Sequence, residues 1–255
     1  MTGGDEKLKK TIILALVFSV VSLAQTTMQV TIPSPAKTIL NLFGLAKERV
    51  TIFNPTPFTT SISALGKPVG SIPPGGFAWG THSVKFDGEQ YPFVGWMLDA
   101  TGRRIGVAFG APNFRENQLG EWIVTQVYYP DGRYSLYNYY GVSPYGAPDL
   151  PKDKEIDFPG TSLGTTVYVQ FINCTYFAVE AKLGTGHSVH VSSMEDITLP
   201  YENVLQVNGT IPVKFVYSDR GREVGWSGSS FSVWTNNTPR AVQILLTPSI
   251  IRNTY

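Results

Sequence analysis

The sequence of 255 residues contains one cysteine and three histidines, and charged residues make up only 15% of it. A single cysteine excludes a disulfide framework and any cysteine-rich metal site. The 20 Lys and Arg residues nearly balance the 19 Asp and Glu residues, and the net charge of +1 excludes a strongly basic nucleic-acid-binding protein. The length is sufficient for one large domain or two small ones, and either can bury a core.

The sequence also lacks the usual catalytic and metal-binding motifs. His187 and His190 are three positions apart in a strand-like segment, so they would face opposite sides and cannot share a metal ion. No zinc-protease, calcium-loop or phosphate-loop motif is present. Ser162 lies at the centre of a Gly-x-Ser-x-Gly segment, but no helix pattern follows it, as a nucleophile elbow requires. We therefore predict that the protein is not an enzyme and has no catalytic residues, no metal site and no cofactor.

Aromatic residues and turn formers are abundant instead. Aromatics make up 13% of the chain, and there are 25 Gly and 18 Pro residues. Short segments of alternating polar and apolar residues, such as residues 59–65, are separated by turn signals such as the Gly-containing loop at residues 99–103. Neither residues 47–129 nor residues 166–249 have a convincing helical period. This pattern predicts an all-β fold of short strands.

The N-terminus has the three-part layout of a secretory signal peptide. Three lysines between positions 7 and 10 precede an apolar stretch at residues 11–21, and the small residues Ser22 and Ala24 fit the −3 and −1 positions of a cleavage site. The apolar stretch is about half of the roughly 20 residues that a membrane span needs. We predict that residues 1–24 are removed and that the mature chain, with no transmembrane segment, is secreted to the extracellular space or cell surface. The alternative is an uncleaved N-terminal anchor.

The chain resembles itself at an offset of 119 residues. The same offset places residues 94–96 over 213–215, 102–106 over 221–225 and 122–125 over 241–244. One constant offset over this distance predicts a tandem duplication. Three pairs of residues are identical at this offset within one short segment: Asn54/Asn173, Thr56/Thr175 and Phe58/Phe177.

The predicted fold is therefore two tandem, internally duplicated antiparallel β-sandwich domains after a signal peptide. They are Ig-like or jelly-roll-like in architecture, although the absence of a Cys…Trp…Cys pattern excludes a true antibody-type domain. Trp96 and Trp122 lie inside strand patterns and are expected in the cores. The predicted organisation is a signal peptide (1–24), an N-terminal extension (25–46), a first β-sandwich with a Tyr-rich hairpin (47–142), a Pro-rich linker (143–165) and a second β-sandwich (166–255).

The N-terminal extension contains a candidate donor strand. Residues 27–32 alternate polar and apolar side chains, and the Pro-Ser-Pro segment at residues 33–35 separates this strand from the remainder of the extension. An extended segment of this kind can complete the sheet of a neighbouring molecule through main-chain hydrogen bonds. Met28, Val30 and Ile32 would then point into the neighbour.

A second candidate site is the Tyr-rich hairpin, which is predicted to turn at the Pro-Asp-Gly of residues 130–132. Its tyrosines are difficult to bury all at once, which makes them candidates for an exposed surface that contacts a ligand or another subunit. These tyrosines are Tyr134, Tyr137, Tyr139 and Tyr140.

Asparagine and cysteine provide the remaining candidates. Asn208 and Asn236 match the N-glycosylation pattern, as does Asn173, which lies in a predicted strand. Cys174 follows it in the same apolar run, so we expect a buried, inert thiol, with an intermolecular disulfide as the alternative.

We expect a secreted structural subunit of an extracellular assembly, such as a filament, pilus-like fibre, sheath or surface layer. It would polymerise with copies of itself by donating the N-terminal strand. The alternative is a secreted carbohydrate-binding or adhesive cell-surface module whose partners are glycans. Removal of residues 1–24 leaves a chain with no formal net charge, so no nucleic-acid partner is expected.

Overall fold

The structure is a computed structural model, and it describes residues 47–83, 88–114, 120–139, 152–160, 167–200, 209–233, 240–248 and 252–253. All of these residues belong to one compact unit, Thr38–Tyr255. They form 19 strands and a short 3-10 turn at Lys152–Lys154, and no α-helix occurs among them. The all-β class predicted from the sequence is confirmed.

The first half of this unit, residues 47–160, forms a three-stranded sheet in the order β4-β1-β9 and a six-stranded sheet in the order β11-β10-β7-β6-β2-β3. The short strands β5 and β8 pair with each other. Its strands are β1 (Lys47–Phe53), β2 (Thr59–Ala64), β3 (Lys67–Ile72), β4 (Phe77–Ser83), β5 (Glu89–Gln90), β6 (Phe93–Leu98), β7 (Arg104–Gly110), β8 (Asn113–Phe114), β9 (Gly120–Ile123), β10 (Gln126–Tyr128) and β11 (Tyr134–Leu136).

The second half, residues 167–253, has a three-stranded sheet in the order β15-β12-β18 and a five-stranded sheet in the order β14-β13-β16-β17-β19. Each half encloses its own apolar core between its two main sheets, which is a sandwich-like arrangement. The strands of this half are β12 (Val167–Asn173), β13 (Ala178–Leu183), β14 (Ser188–Val191), β15 (Glu195–Pro200), β16 (Gly209–Asp219), β17 (Arg222–Val233), β18 (Arg240–Leu246) and β19 (Arg252–Asn253).

The two halves share one strand order. In the smaller sheets, β4-β1-β9 corresponds to β15-β12-β18, and in the larger sheets β7-β6-β2-β3 corresponds to β17-β16-β13-β14. The sheets are not purely antiparallel, however, because β1 pairs in parallel with β9 and β12 pairs in parallel with β18. The antiparallel prediction is wrong for these two pairs. Each closing strand crosses over from the opposite sheet, so no hairpin imposes an antiparallel direction.

Pairing registers show where the two halves correspond. The 119-residue offset holds in β1 and β2, but Trp96 of β6 occupies the position of Val216, which is one residue beyond it. Trp96 pairs with Val107, which is eleven residues further along the chain, whereas Val216 pairs with Trp226, which is ten residues further along. Trp122 of β9 corresponds to Ile244, three residues beyond the offset. The sequence alignments of residues 94–96 and 122–125 were therefore wrong, and a slip of one residue exchanges the faces of a strand.

The halves pack against each other through unlike sheets. The outer face of the six-stranded sheet of the first half contacts the outer face of the β15-β12-β18 sheet of the second. Strand β12 is consequently buried at every position, since alternate residues face the core and the first half. We call this contact the junction, and its buried apolar residues are Val94, Trp96, Val107, Ile172, Cys174 and Met194.

Part of the predicted linker belongs to the first half. Phe158 is 7% exposed and packs in the core of that half. The backbone N–H of Ile156 donates a hydrogen bond of 2.7 Å to the carbonyl oxygen of Trp79 on β4, and the Tyr91 hydroxyl donates to the carbonyl oxygen of Pro159. Gly80 allows this close approach, because a Cβ atom there would lie 2.6 Å from the Phe158 ring. Residues 156–159 are thus fixed beside β4.

Candidate functional site

Polar contacts fix the junction between the halves. The indole Nε1 of Trp96 donates to Oδ1 of Asp196 at 2.8 Å, and Nε2 of Gln170 donates to the other carboxylate oxygen at 3.2 Å. Arg104 donates to the carbonyl oxygen of Met194 at 2.7 Å, and its guanidinium lies 5.0 Å from the centre of the Trp96 ring. Burial raises the pKa of Asp196, although the Trp96 hydrogen bond and the Arg104 charge lower it. These groups satisfy one another and hold the two halves together.

Trp96 was expected in a core and is buried, but it lies on the outer face of its sheet. Its relative exposure is 2%, and the second half provides the cover. Trp122 lies in the core of the first half, where it stacks on Phe93 with ring centres 5.3 Å apart. Trp96 occupies the position of Val216, whose neighbours Phe215 and Tyr217 face the core of the second half, and adjacent positions in a strand face opposite sides.

Cys174 is completely buried at the junction, and its thiol is free. Its Sγ lies 3.4 Å from the carbonyl oxygen of Tyr128 in the first half. Burial, with a smaller contribution from the charge of Asp131, raises the pKa of the thiol to about 12. A thiol that does not ionise is a poor nucleophile, so the expected inert thiol is confirmed as buried.

The residue pairs that are identical at the 119-residue offset form the same hydrogen-bonded corner in both halves. In the first half, Nδ2 of Asn54 donates to the carbonyl oxygens of Phe58, Ile72 and Pro73 at 2.7, 3.1 and 3.0 Å. The hydroxyl of Thr56 donates to Oδ1 of Asn54 at 2.6 Å. This corner satisfies backbone groups where the chain passes from one sheet to the other.

The second corner reproduces this geometry. Nδ2 of Asn173 donates to the carbonyl oxygens of Phe177, Val191 and Ser192 at 2.8, 3.2 and 2.8 Å, and the Thr175 hydroxyl donates to its Oδ1 at 2.7 Å. The side chain of Asn173 is fully buried. Its amide is therefore committed to the fold and is not exposed for glycosylation in the folded chain.

The tyrosines of the predicted contact surface fall into two groups. Tyr134 lies on β11 with 59% of its surface exposed, whereas Tyr137 and Tyr139 are half-buried. The Tyr137 hydroxyl lies 3.2 Å from that of Tyr129, and burial together with this neighbour raises the pKa of Tyr137 to about 12. The Tyr139 ring packs 4.6 Å from the ring of Phe53. Both half-buried tyrosines therefore pack against other residues of the first half, to which they belong.

Strand β11 forms one edge of the six-stranded sheet, and no other strand of the described residues pairs with its outer side. Leu136, which shares a face with Tyr134, is 68% exposed. The Tyr134 ring extends an aromatic row, with ring centres 6.2 Å from Tyr128 and Tyr128 in turn 5.7 Å from Phe109. Exposed apolar residues on an open edge strand favour pairing with another chain. Leu136 was missed from the sequence, although its alternation with Tyr134 is the signal that would have found it.

Several predicted site residues lie outside the described residues. They are Met28, Val30 and Ile32 of the candidate donor strand, Tyr140 of the tyrosine surface, and Asn208 and Asn236 of the glycosylation motifs.

A buried contact between a histidine and a glutamate in the first half was also missed. Nε2 of His82 lies 2.8 Å from a carboxylate oxygen of Glu89, and both side chains are almost completely buried.

Within the described ranges, no group of three or more His, Cys, Asp or Glu side chains is arranged to hold a metal ion. The same part of the chain contains no helix of the length and apolarity that crossing a bilayer requires.

The chain was compared with known proteins. No family model matches it, and no curated protein shows significant similarity to it.

Proposed function

We propose that the protein is a secreted structural subunit of an extracellular assembly, in which each copy donates its N-terminal strand to the β11 edge of a neighbour. The observation that carries this proposal is the open edge of β11, with Tyr134 and Leu136 exposed side by side. A donated strand supplies the main-chain hydrogen bonds that an edge strand lacks. It also covers the exposed apolar side chains.

The candidate donor strand matches this acceptor in chemistry. Met28, Val30 and Ile32 alternate with polar residues, so an extended conformation would place all three on one face. Placed beside β11, that face would form apolar cross-strand pairs with Tyr134 and Leu136. The candidate donor strand and the Tyr-rich hairpin, both predicted from the sequence, would thus meet at one intermolecular contact.

We also propose that the two halves arose by duplication of one domain and that residues 1–24 are a signal peptide. The shared strand order and the two matching asparagine corners support the duplication. The junction supports an assembly role as well, because it joins unlike faces of two similar units. Head-to-tail contacts of this kind generate open chains when they are repeated with a rotation that does not close into a ring.

Removal of the donor segment tests the assembly role. The mature chain, which begins at Gln25, is compared with a chain that begins at Ala36 by light scattering and negative-stain microscopy. We expect polymers of the mature chain and a folded monomer of the shortened one. A synthetic peptide of residues 25–35 should block polymerisation of the mature chain, and the same peptide with lysine at positions 28, 30 and 32 serves as the control. Polymers formed without the segment would refute strand donation.

A further inference from the structure

The outer face of the five-stranded sheet carries two lysines directly opposite each other. Lys182 on β13 and Lys214 on β16 are cross-strand partners, and both are exposed. Like charges in this position destabilise a sheet, so the pair does not serve folding. Glu180 relieves only one of them, since its carboxylate lies 3.3 Å from the ammonium of Lys182.

An open depression lies beside the lysines. On the next strand, Lys214 faces Gly228, and a Cβ atom at Gly228 would meet only the Trp226 ring, at 3.9 Å. The depression has a volume of about 740 Å³, and Gly184, Pro212 and Ser230 form its other borders. The absence of a side chain at Gly228 thus leaves space for a ligand next to two positive charges.

Trp226 adds an aromatic surface to the same face. It is partly exposed, and the ammonium of Lys214 lies 5.4 Å from the centre of its ring. This cation–π contact restrains the lysine without neutralising it. An aromatic ring beside cationic and hydroxyl groups is suited to a sugar ring that bears negative charge.

The corresponding face of the first half has a different chemistry. At the equivalent position in the sheet of the first half, Val94 is the cross-strand partner of Phe109. Both residues are covered by the second half at the junction. The second half has Lys214 facing Gly228 there. The face of the first half is therefore apolar and covered by protein, whereas the face of the second half is positively charged and open. This difference is expected if the first face binds protein and the second binds an anionic ligand.

We infer that this face binds an acidic polysaccharide, meaning a sugar polymer that carries carboxylate or sulfate groups. The anionic groups lie between Lys182 and Lys214, and a sugar ring occupies the space above Gly228 against Trp226. Two lysines on a chain without net charge after removal of residues 1–24 do not suit a nucleic acid, which needs many phosphate contacts. The inference does not depend on strand donation, because the face and the β11 edge belong to different sheets.

The test measures binding of dextran sulfate, polygalacturonate and neutral dextran to the mature chain by isothermal titration calorimetry. We expect binding of at least one acidic polymer, none of neutral dextran, and weaker binding at high salt. The double variant Lys182→Gln/Lys214→Gln should bind about tenfold or more weakly. Its urea midpoint should stay the same or rise, since a like-charge pair is removed.

Two further variants separate a built site from general charge attraction. Gly228→Leu fills the depression without removing charge and should abolish binding. Lys152→Gln/Lys154→Gln removes the same charge from a turn in the first half and should leave binding unchanged. The inference is refuted if neither acidic polymer binds, if both lysine variants weaken binding equally, or if inorganic polyphosphate binds as well as the acidic sugars.

Discussion

The indole Nε1 of Trp96 in the first half donates a hydrogen bond of 2.8 Å to the carboxylate of Asp196 in the second half. This bond crosses a contact between two β-sheets that also contains buried apolar side chains. A carboxylate at such a place is costly unless its oxygens accept hydrogen bonds. Trp96 and Gln170 provide these, and Arg104 provides a nearby positive charge.

Asp196 should make the junction more stable at mildly acidic pH. Because burial raises its pKa in the folded protein, folding favours the protonated form. The resulting stability is fully present below the pKa of a free Asp, about 4, and is lost as the pH rises through the raised value. We expect the free energy of unfolding, relative to that of Asp196→Asn, to increase as the pH falls from 7 to 4. Urea unfolding at several pH values measures this, and a difference that does not change with pH would contradict it.

The two asparagine corners should contribute similarly to stability. Asn54→Ala or Asn173→Ala leaves three backbone carbonyl oxygens without their donor, and we expect each change to lower the free energy of unfolding by about 3 kcal/mol. Asn138→Ala, at an exposed position, is the matched control and should change it by less than about 0.5 kcal/mol. Equilibrium urea unfolding measures all three. Loss of stability in only one corner variant would argue against an equivalent role.

The Cys174 thiol should be unreactive in the folded protein. It is fully buried and its pKa is raised to about 12, so almost no thiolate is present or accessible at pH 8. We expect negligible reaction with a disulfide reagent such as DTNB in native buffer and complete reaction in denaturant. Rapid labelling of the native protein, or a disulfide-linked dimer on a non-reducing gel, would show that the thiol is accessible.

Charge on the β11 edge should prevent assembly without unfolding the chain. Lysine at both positions 134 and 136 places charge on an edge that must pair with an apolar strand, which is how natural edge strands avoid association. We expect Tyr134→Lys/Leu136→Lys to be monomeric by light scattering, with stability within about 0.5 kcal/mol of the parent because both side chains are exposed.

The matched control for this experiment is on another edge strand. Ser188→Lys/His190→Lys places the same charges on exposed alternate positions of β14, an edge of the five-stranded sheet. This variant should polymerise normally. If both double variants polymerise, the β11 edge is not the acceptor.

Local patterns predicted much of the strand content. Alternation predicted β2, and a Gly-containing loop predicted the β6–β7 hairpin. No strand was predicted at β4 or β15, which occupy equivalent positions at the edges of the two smaller sheets. These segments lack a strong local signal, and Pro200 even ends β15. Their strand geometry depends on pairing with β1 and β12, which are distant in sequence.

The candidate sites also divide into those that local sequence features indicate and those that only the pairing of distant strands creates. Residues 134–136 were recognised in part because the turn before them and their aromatic content are local features. Lys182 and Lys214 could not be paired from sequence, since they meet only through the register of β13 on β16. The predicted linker likewise gave no indication that Phe158 would enter the core of the first half.

The sequence by itself determined the all-β class and the matching Asn–Thr pairs of the corners, because strand alternation and the hydrogen bond between Asn and Thr two residues apart are local. Only the tertiary structure decided which face of each strand is buried and against what. Trp96 lies at the junction between the halves because its position in β6 is one residue beyond the 119-residue offset and faces outward, and Cys174 lies opposite in the second half. Since side chains alternate with a period of two, such a shift turns a core position into a docking position.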